Sequence, residues 1–117
     1  MGIFQRLFGG ASAKAAAPSQ AVLVHLDGQG LPDEVYEEYD LATIEDQLRA
    51  VIDAGGLGEF DGNDVGEEGA TLYMYGPDAE RLFVAIEATL RAYPLCKNAR
   101  VVIRAGEPGA PEREVRL

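Results

Sequence analysis

The stretch that decides the fold is residues 70–94, ATLYMYGPDAERLFVAIEATLRAYP. In its first six residues, Leu72 and Met74 alternate with Tyr73 and Tyr75, which is typical of a strand with two different faces. The apolar residues that follow recur at helical spacing, at Ala79, Leu82, Phe83, Ile86, Leu90 and Tyr93. A strand, a turn with Pro77 suited to the first helical turn, and an amphipathic helix ended by Pro94 are therefore predicted.

The same strand–helix pattern occurs earlier in the chain. Residues 21–27, AVLVHLD, predict a strand, and residues 41–54 predict a helix capped by Asp40 or Thr43 and ended by Gly55 and Gly56. Short strands are predicted at residues 57–61 and 100–104, with an optional one at 114–117, and an irregular turn near Pro32. The order β-α-β-β-α-β predicts an α+β two-layer sandwich of the ferredoxin-like type, with strands one and three adjacent at its centre.

Two regions of different composition are distinguished. Residues 1–20 predict an arm with one short apolar segment and a Gly/Ala-rich linker, and residues 21–117 predict a single domain. Disorder or docking on the domain itself is the favoured interpretation of the arm, with a partner protein or a membrane surface as alternatives. No apolar run approaches the ~20 residues that span a bilayer, and no secretory signal is recognised, so a cytoplasmic location is expected.

The net charge of −10 is concentrated in one part of the sequence. Residues 27–68 contain 14 acidic residues and a single basic one, Arg49, whereas residues 69–117 contain six acidic and seven basic residues. Binding to nucleic acid depends on neutralising phosphates with Lys and Arg, so this charge argues against a nucleic-acid partner. A basic protein is the partner it favours, although acidity also serves solubility.

The first candidate site is an acidic glycine-containing loop, predicted between the second and third strands. Its candidate residues are Asp61, Asn63, Asp64, Glu67 and Glu68. Asp61, Asn63 and Gly66 match three positions of a calcium-binding EF-hand loop, but Val65 and Leu72 stand where two oxygen ligands are required. A solvated hairpin is the favoured interpretation, and a weak cation site is the alternative.

The second candidate site is the side of the sheet that faces away from the helices. On the predicted topology it carries Leu23 and Thr71 together with the candidate binding residues His25, Tyr73, Tyr75, Arg100 and Arg104. An aromatic and apolar sheet face of this kind favours contact with a protein, either a partner or a second copy of the chain. A small-molecule site is the alternative.

The sequence favours a protein that is not an enzyme, and it predicts no cofactor and no metal. His25 is the only histidine and no serine lies near it in the sequence, and Cys96 is the only cysteine, with no paired histidine evident. No pair of acids stands in an apolar cleft that would separate their pKa values. The glycine-rich stretches lack the lysine of a phosphate-binding loop.

Two motifs carry a family resemblance. EFDGNDVG at residues 59–66 and LYMYGPDAE at residues 72–80 resemble a family of short uncharacterised bacterial proteins that share E-F-D-G-x-[DE]-x-G and L-Y-x-Y-G-P-D-A-E. The resemblance extends over roughly residues 21–117. It implies a bacterial, cytosolic setting, and it carries no activity and no site residues.

The leading functional hypothesis is an acidic protein-binding or regulatory module, of which an immunity or antitoxin protein is one specific version. Small acidic domains of this kind neutralise basic partners, with charge guiding the encounter. The alternative is a domain that binds a small molecule or a divalent cation.

Overall fold

The computed structural model of the chain describes residues 20–117, and the predicted arm lies outside these residues except for Gln20. The described part is an α+β structure, which confirms the predicted class. Its strands are β1 (Gln20–His25), β2 (Glu59–Gly66), β3 (Gly69–Gly76), β4 (Arg100–Arg104) and β5 (Glu112–Arg116). Its helices are α1 (Asp33–Glu38), α2 (Leu41–Gly55) and α3 (Ala79–Ala92), followed by a 3-10 turn at Pro94–Cys96.

The five strands form one sheet in the order β2-β3-β1-β4-β5, and every neighbouring pair is antiparallel. The central strand, β1, pairs with β3 on one side and β4 on the other, so that Val22 lies opposite both Met74 and Ile103. The optional C-terminal strand is present, and it begins at Glu112 rather than at residue 114.

Helices α2 and α3 cover one side of this sheet and form the core with it. The alternating residues Leu72 and Met74 of β3 are completely buried there, as the pattern of residues 70–75 predicts. The completely buried helix residues repeat every three to four positions, at Ile44, Leu48 and Ile52 of α2 and Leu82, Ile86 and Leu90 of α3. Each such side chain contributes about 1.5–3 kcal/mol through its removal from water.

The helix ends are fixed by side chains and by a glycine. The Asp40 carboxylate accepts a hydrogen bond from the Thr43 amide at 3.3 Å, and Gly56 ends α2 with a left-handed φ of 61°. Asp78 caps α3 by accepting from the Arg81 amide at 3.1 Å. The prediction that Pro77 lies in the first turn of that helix is wrong, because Pro77 precedes the capping residue.

The connection from β1 to α2 is more regular than the sequence predicts, since it contains the short helix α1. Tyr36 fixes this connection: its hydroxyl donates to the Asp27 carbonyl at 2.8 Å and accepts from the Leu31 amide at 3.1 Å. Tyr39 packs edge-on against Tyr93, with ring centroids 5.6 Å apart.

The hairpin of β2 and β3 is longer than predicted. The paired strands extend to Gly66 and resume at Gly69, so only Glu67 and Glu68 remain for the turn. The predicted acidic loop is therefore wrong over most of its length, which is strand. Two glycines allow the backbones to approach closely. A β-carbon added at Gly58 would lie 2.0 Å from the Tyr75 carbonyl oxygen, and one added at Gly69 would lie 2.2 Å from the Leu26 carbonyl oxygen.

No helix within residues 20–117 has the length and apolar character needed to cross a bilayer.

Candidate functional site

The side of the sheet opposite the helices carries a row of apolar residues from its three central strands. Leu23 of β1 lies opposite Tyr73 of β3 and Val102 of β4. None of these three residues belongs to the core that the described helices form with the sheet. Leu23 and Tyr73 are half-buried, and Val102 is only 7% exposed. We call this side the open face.

The register places all five of the predicted binding residues on the open face. On one side of the apolar row, Ala21 of β1 lies between Tyr75 of β3 and Arg104 of β4. On the other side of the row, His25 of β1 lies between Thr71 of β3 and Arg100 of β4. The arrangement follows from the two-residue period of a strand, because directly opposite residues of an antiparallel pair share a face. The open face is therefore apolar and aromatic at its centre and polar toward both ends of the strands.

His25 is held in place by its neighbour on β3. Its Nδ1 atom lies 2.9 Å from the Thr71 hydroxyl oxygen, within hydrogen-bond distance. Partial burial lowers the pKa of His25 below its ordinary value of 6.5, and the positive charge of Arg100 lowers it further, whereas Glu114 acts in the opposite direction. The neutral imidazole is thus the favoured form in the folded protein.

We expect this lowered pKa to make the protein less stable at mildly acidic pH. Because the unfolded chain binds a proton near pH 6.5 and folded His25 does so only at lower pH, the free energy of unfolding falls as the pH drops from about 6.5 through the folded-state pKa. Above about pH 6.5 the neutral form of His25 makes its full contribution to the free energy of unfolding.

Chemical unfolding at several pH values, together with an NMR titration of the single imidazole, measures both quantities. The control is His25→Gln, which retains every carboxylate and should lose only the part of the pH dependence due to histidine. A folded-state pKa at or above 6.5 would contradict the prediction.

Charges of opposite sign lie close to Tyr75. Burial raises the pKa of the Tyr75 phenol, the negative charge of Asp61 raises it further, and Arg104 lowers it. Tyr75 is therefore a neutral hydrogen-bonding group. The Asp61 carboxylate of β2 lies toward one side of it and the Arg104 guanidinium of β4 toward the other.

The two flanks of the open face differ in charge. The β2 flank, which we call the acidic column, consists of Glu59, Asp61 and Asp64. The opposite flank, the arginine flank, combines Arg100 and Arg104 of β4 with three residues of β5 that the register places beside them, Glu112, Glu114 and Arg116. Arg100 contacts Glu114 at 3.5 Å. At full charge the acidic column carries −3 and the arginine flank, with three arginines and two glutamates, carries +1.

Sequence reasoning missed four of these residues, namely Glu59, Glu112, Glu114 and Arg116. Their places depend on which edge strand pairs with which central strand. On β2 the register also shifts by one residue, between Phe60 and Gly62, so that Asp61 is an extra residue in the strand. The alternation within one strand does not reveal a bulge of this kind.

The residues of the predicted cation-binding loop do not converge. Asp61 and Asp64 lie on the open face, whereas Asn63 lies on the helix side, where its amide donates to the carboxylate of the buried Glu45. Glu67 and Glu68 form the hairpin turn. Within residues 20–117 there is no group of three His, Cys, Asp or Glu side chains that could hold a metal ion.

The single histidine and the single cysteine of the sequence lie on different sides of the sheet. His25 is on the open face, and Cys96 is in the core on the helix side. Burial raises the pKa of the Cys96 thiol to about 12, which keeps it protonated and unreactive.

The cavities of the described residues differ in size, and one of about 310 Å³ is lined by Tyr93, Pro94 and Leu117. One of about 220 Å³ lies between Tyr36 of α1, Leu41 of α2 and the hairpin tip at Val65. Another of about 220 Å³ is polar and lies beside His25, Thr71 and Arg100. Sites for drug-sized ligands range from about 300 to 1,000 Å³.

No family model, no curated protein and no solved structure matches this chain. The bacterial family suggested by the two sequence motifs therefore stays a prediction.

Proposed function

We propose that this protein is a non-enzymatic protein-binding module and that it recognises its partner through the open face. The observation that carries the proposal is the row of Tyr73, Leu23 and Val102, which lies outside the core formed with α2 and α3. Val102 is buried, so the accessible part of this row is provided by the half-buried Leu23 and Tyr73. Apolar surface that is bordered by polar residues is typical of protein interaction sites.

The composition of the open face supports a protein rather than a small ligand. Tyr73 belongs to the apolar row, and Tyr75, Arg100 and Arg104 border it. Tyrosine and arginine are enriched in protein interfaces. The polar cavity beside His25 is smaller than a typical ligand site.

The fold is proposed as a ferredoxin-like sandwich extended by β5, which agrees with the position of β1 between β3 and β4. A bacterial cytosol is the proposed setting.

Site-specific photocrosslinking tests the proposal. A benzophenone amino acid replaces Tyr73 at the centre of the open face, and in a second variant it replaces Val84, which is 70% exposed on α3. On irradiation in the native host cells, we expect discrete protein adducts from position 73 and few or none from position 84. The matched position on α3 separates partner binding from random collision.

Adduct formation at position 73 no stronger than at position 84 would contradict the proposal. Circular dichroism of both purified variants shows whether the fold is retained, so that an absence of adducts is attributed to the surface and not to unfolding.

Binding of a small molecule or a divalent cation is the second candidate. The apolar cavity between Tyr36, Leu41 and Val65 favours a small apolar ligand, and its modest volume places this function behind protein binding. The dispersal of Asp61, Asn63 and Asp64 over two sides of the sheet gives the cation version less support.

A further inference from the structure

We propose that the N-terminal arm docks on its own domain, with a phenylalanine ring of the apolar segment at residues 3–8 in the cavity between Tyr36, Leu41 and Val65. We call this cavity the tip cavity. The inference goes beyond the proposed function, because it concerns the helix side of the sheet and not the open face. It is carried by the shape and charge of the tip cavity and by the charge and length of the arm.

The tip cavity lies where the apolar layer between sheet and helices comes to an end. Val65 of β2 lies opposite Ala70 of β3, on the side of the sheet where Leu72 is completely buried under the helices. Toward the tip of the hairpin the burial decreases: Ala70 is half-buried, and Val65 is 65% exposed. The described residues thus leave apolar surface uncovered at this end of the core.

The volume of the tip cavity suits a single aromatic ring. The cavity measures about 220 Å³. Its apolar walls are formed by Leu26, Tyr36, Leu41, Val65, Ala70 and Leu95. An apolar cavity of about 150 Å³ holds a benzene molecule, whereas drug-sized ligands need about 300 Å³ or more. One phenylalanine side chain therefore fits.

The rim of the tip cavity is acidic. Asp27 and Glu67 line it, and among residues 20–117 no lysine or arginine does so. Helix α1, which supplies Tyr36, has the sequence DEVYEE, with four carboxylates and no basic residue. The ion pairs within residues 20–117 use the other carboxylates of Asp46, Glu80, Glu87 and Glu114. An apolar segment that also carries positive charge is therefore complementary to this cavity.

The arm has this composition. Arg6 lies within the apolar segment at residues 3–8, Lys14 follows it, and residues 1–19 contain no acidic residue. The net charge of −10 includes +2 from these two residues, so residues 20–117 carry −12. The domain as a whole attracts the arm, and the carboxylates at the rim of the tip cavity give that attraction a place.

Charge also distinguishes the tip cavity from cavities elsewhere on the domain. The cavity at the start of β1 includes Arg113, the one beside Pro94 includes Arg91, and the polar one beside His25 includes Arg100. In each of them a guanidinium opposes the approach of Arg6, whereas the charged residues that line the tip cavity are both acidic.

The connection between the apolar segment and the domain has a suitable length. The arm joins the domain at Gln20, and Leu26 in the wall of the tip cavity lies six residues further, about 20 Å away along the strand. The eleven residues 9–19 span at most about 36 Å. A coil of that length has an r.m.s. end-to-end distance of about 17–20 Å, close to the separation that has to be bridged.

This match makes a small contact sufficient. A tether whose average length equals the span gives an effective concentration of about 1 mM, at which a contact with a Kd of about 0.1 mM is roughly 90% formed. One buried ring and one arginine among carboxylates can thus hold the arm in place. Two separate molecules would need a much larger interface.

Photocrosslinking within the purified full chain tests the docking. A benzophenone amino acid replaces Phe8 and, in a second protein, Phe4, so that the probe keeps the aromatic character of the residue it replaces. We expect crosslinks from at least one of these positions to peptides that contain Tyr36, Leu41 or Val65, located by tandem mass spectrometry. At about 5 µM protein the effective concentration of the tethered arm is about 200-fold higher than that of other copies, so the crosslinks should form within one molecule.

Matched variants separate the tip cavity from the rest of the surface. Val65→Lys places a positive charge in the wall of the cavity and should lower the docked fraction from about 90% to about half or less. Val84→Lys introduces the same side chain on α3, at a position that is 70% exposed, and should leave the crosslinks unchanged. Arg6→Glu should weaken docking as Val65→Lys does, and Arg6→Lys should not. Circular dichroism checks the fold, and the position 6 variants leave the sequence of the domain unaltered.

Crosslinks that scatter over the domain, or crosslinks that Val65→Lys and Arg6→Glu leave unchanged, would overturn the inference. Crosslinked dimers whose yield rises with protein concentration would overturn it in favour of an arm exchanged between two copies. Irradiation of the same proteins in the native host cells provides the last comparison: if the probe forms adducts mainly with a different protein, the arm is a ligand of that protein and not of its own domain. None of these outcomes bears on the open face, which the probe at position 73 tests separately.

Discussion

An alanine at position 58 is expected to lower the free energy of unfolding by about 3–5 kcal/mol. Gly58 has a φ of 139°, a region that residues with a β-carbon rarely adopt, and an added β-carbon would lie 2.0 Å from the Tyr75 carbonyl oxygen. Both atoms belong to the backbone or are fixed to it, so no side-chain rotation relieves the clash. The base of the β2–β3 hairpin would have to separate, and with it the strand that carries the acidic column.

The matched control is Gly66→Ala, at the other end of the same strand. Gly66 lies outside the positive-φ region, and the nearest atom to a β-carbon added there is the Gly69 carbonyl oxygen, at 4.0 Å. Alanine at position 66 should change the free energy of unfolding by less than about 1 kcal/mol. Urea unfolding of the three proteins measures both effects, and equal losses at positions 58 and 66 would show that the close approach is unimportant.

Ile86→Ala is expected to cost about 3–4 kcal/mol of unfolding free energy. Ile86 is completely buried in the core between α3 and the sheet, so its truncation removes apolar contacts and leaves a cavity. Alanine favours a helix more than isoleucine does, so the loss arises from packing and not from helix propensity.

Val84 provides the comparison for this prediction. It is a β-branched residue two positions away on the same helix, but it is 70% exposed, and Val84→Ala should change stability by no more than about 0.5 kcal/mol. Thermal and urea unfolding give the two values. Similar losses at the two positions would mean that α3 is not packed on the sheet as described.

The elements that the sequence predicts well are those with two chemically different faces. Residues 70–75 and 79–93 bury one side and expose the other, so the hydrophobic period reports both the element type and its orientation. Together with the predicted topology, the same reasoning places His25, Tyr73 and Tyr75 on one face. Asp40 and Gly56 are predicted equally well, because the Asp40 carboxylate caps the start of α2 and Gly56 adopts the left-handed conformation that ends it.

The elements that escape prediction are stabilised from elsewhere in the chain. Helix α1 buries none of its six residues completely and is fixed by Tyr36, whose bonds reach Asp27 and Leu31. A helix this short has little stability of its own. The sequence predicts a strand only over residues 57–61, because the rest of β2 is polar and exposed. That part is a strand because β3 offers it backbone partners.

The charged flanks of the open face were unpredictable for a related reason. The placing of Glu112, Glu114 and Arg116 requires the register of β5 against β4, and the placing of Asp61 requires the bulge in β2. Both are long-range properties of the sheet. The candidate site could thus be predicted in its central strands and not at its borders.

The burial of Cys96 has a practical consequence for labelling chemistry. It is the only cysteine of the sequence, and its protonated, enclosed thiol is a poor nucleophile toward maleimides and disulfide reagents. A cysteine introduced at an exposed position will therefore take up a fluorophore or a spin label selectively, with the native residue left in place. Site-specific labelling therefore needs no cysteine-free background, and the core stays intact.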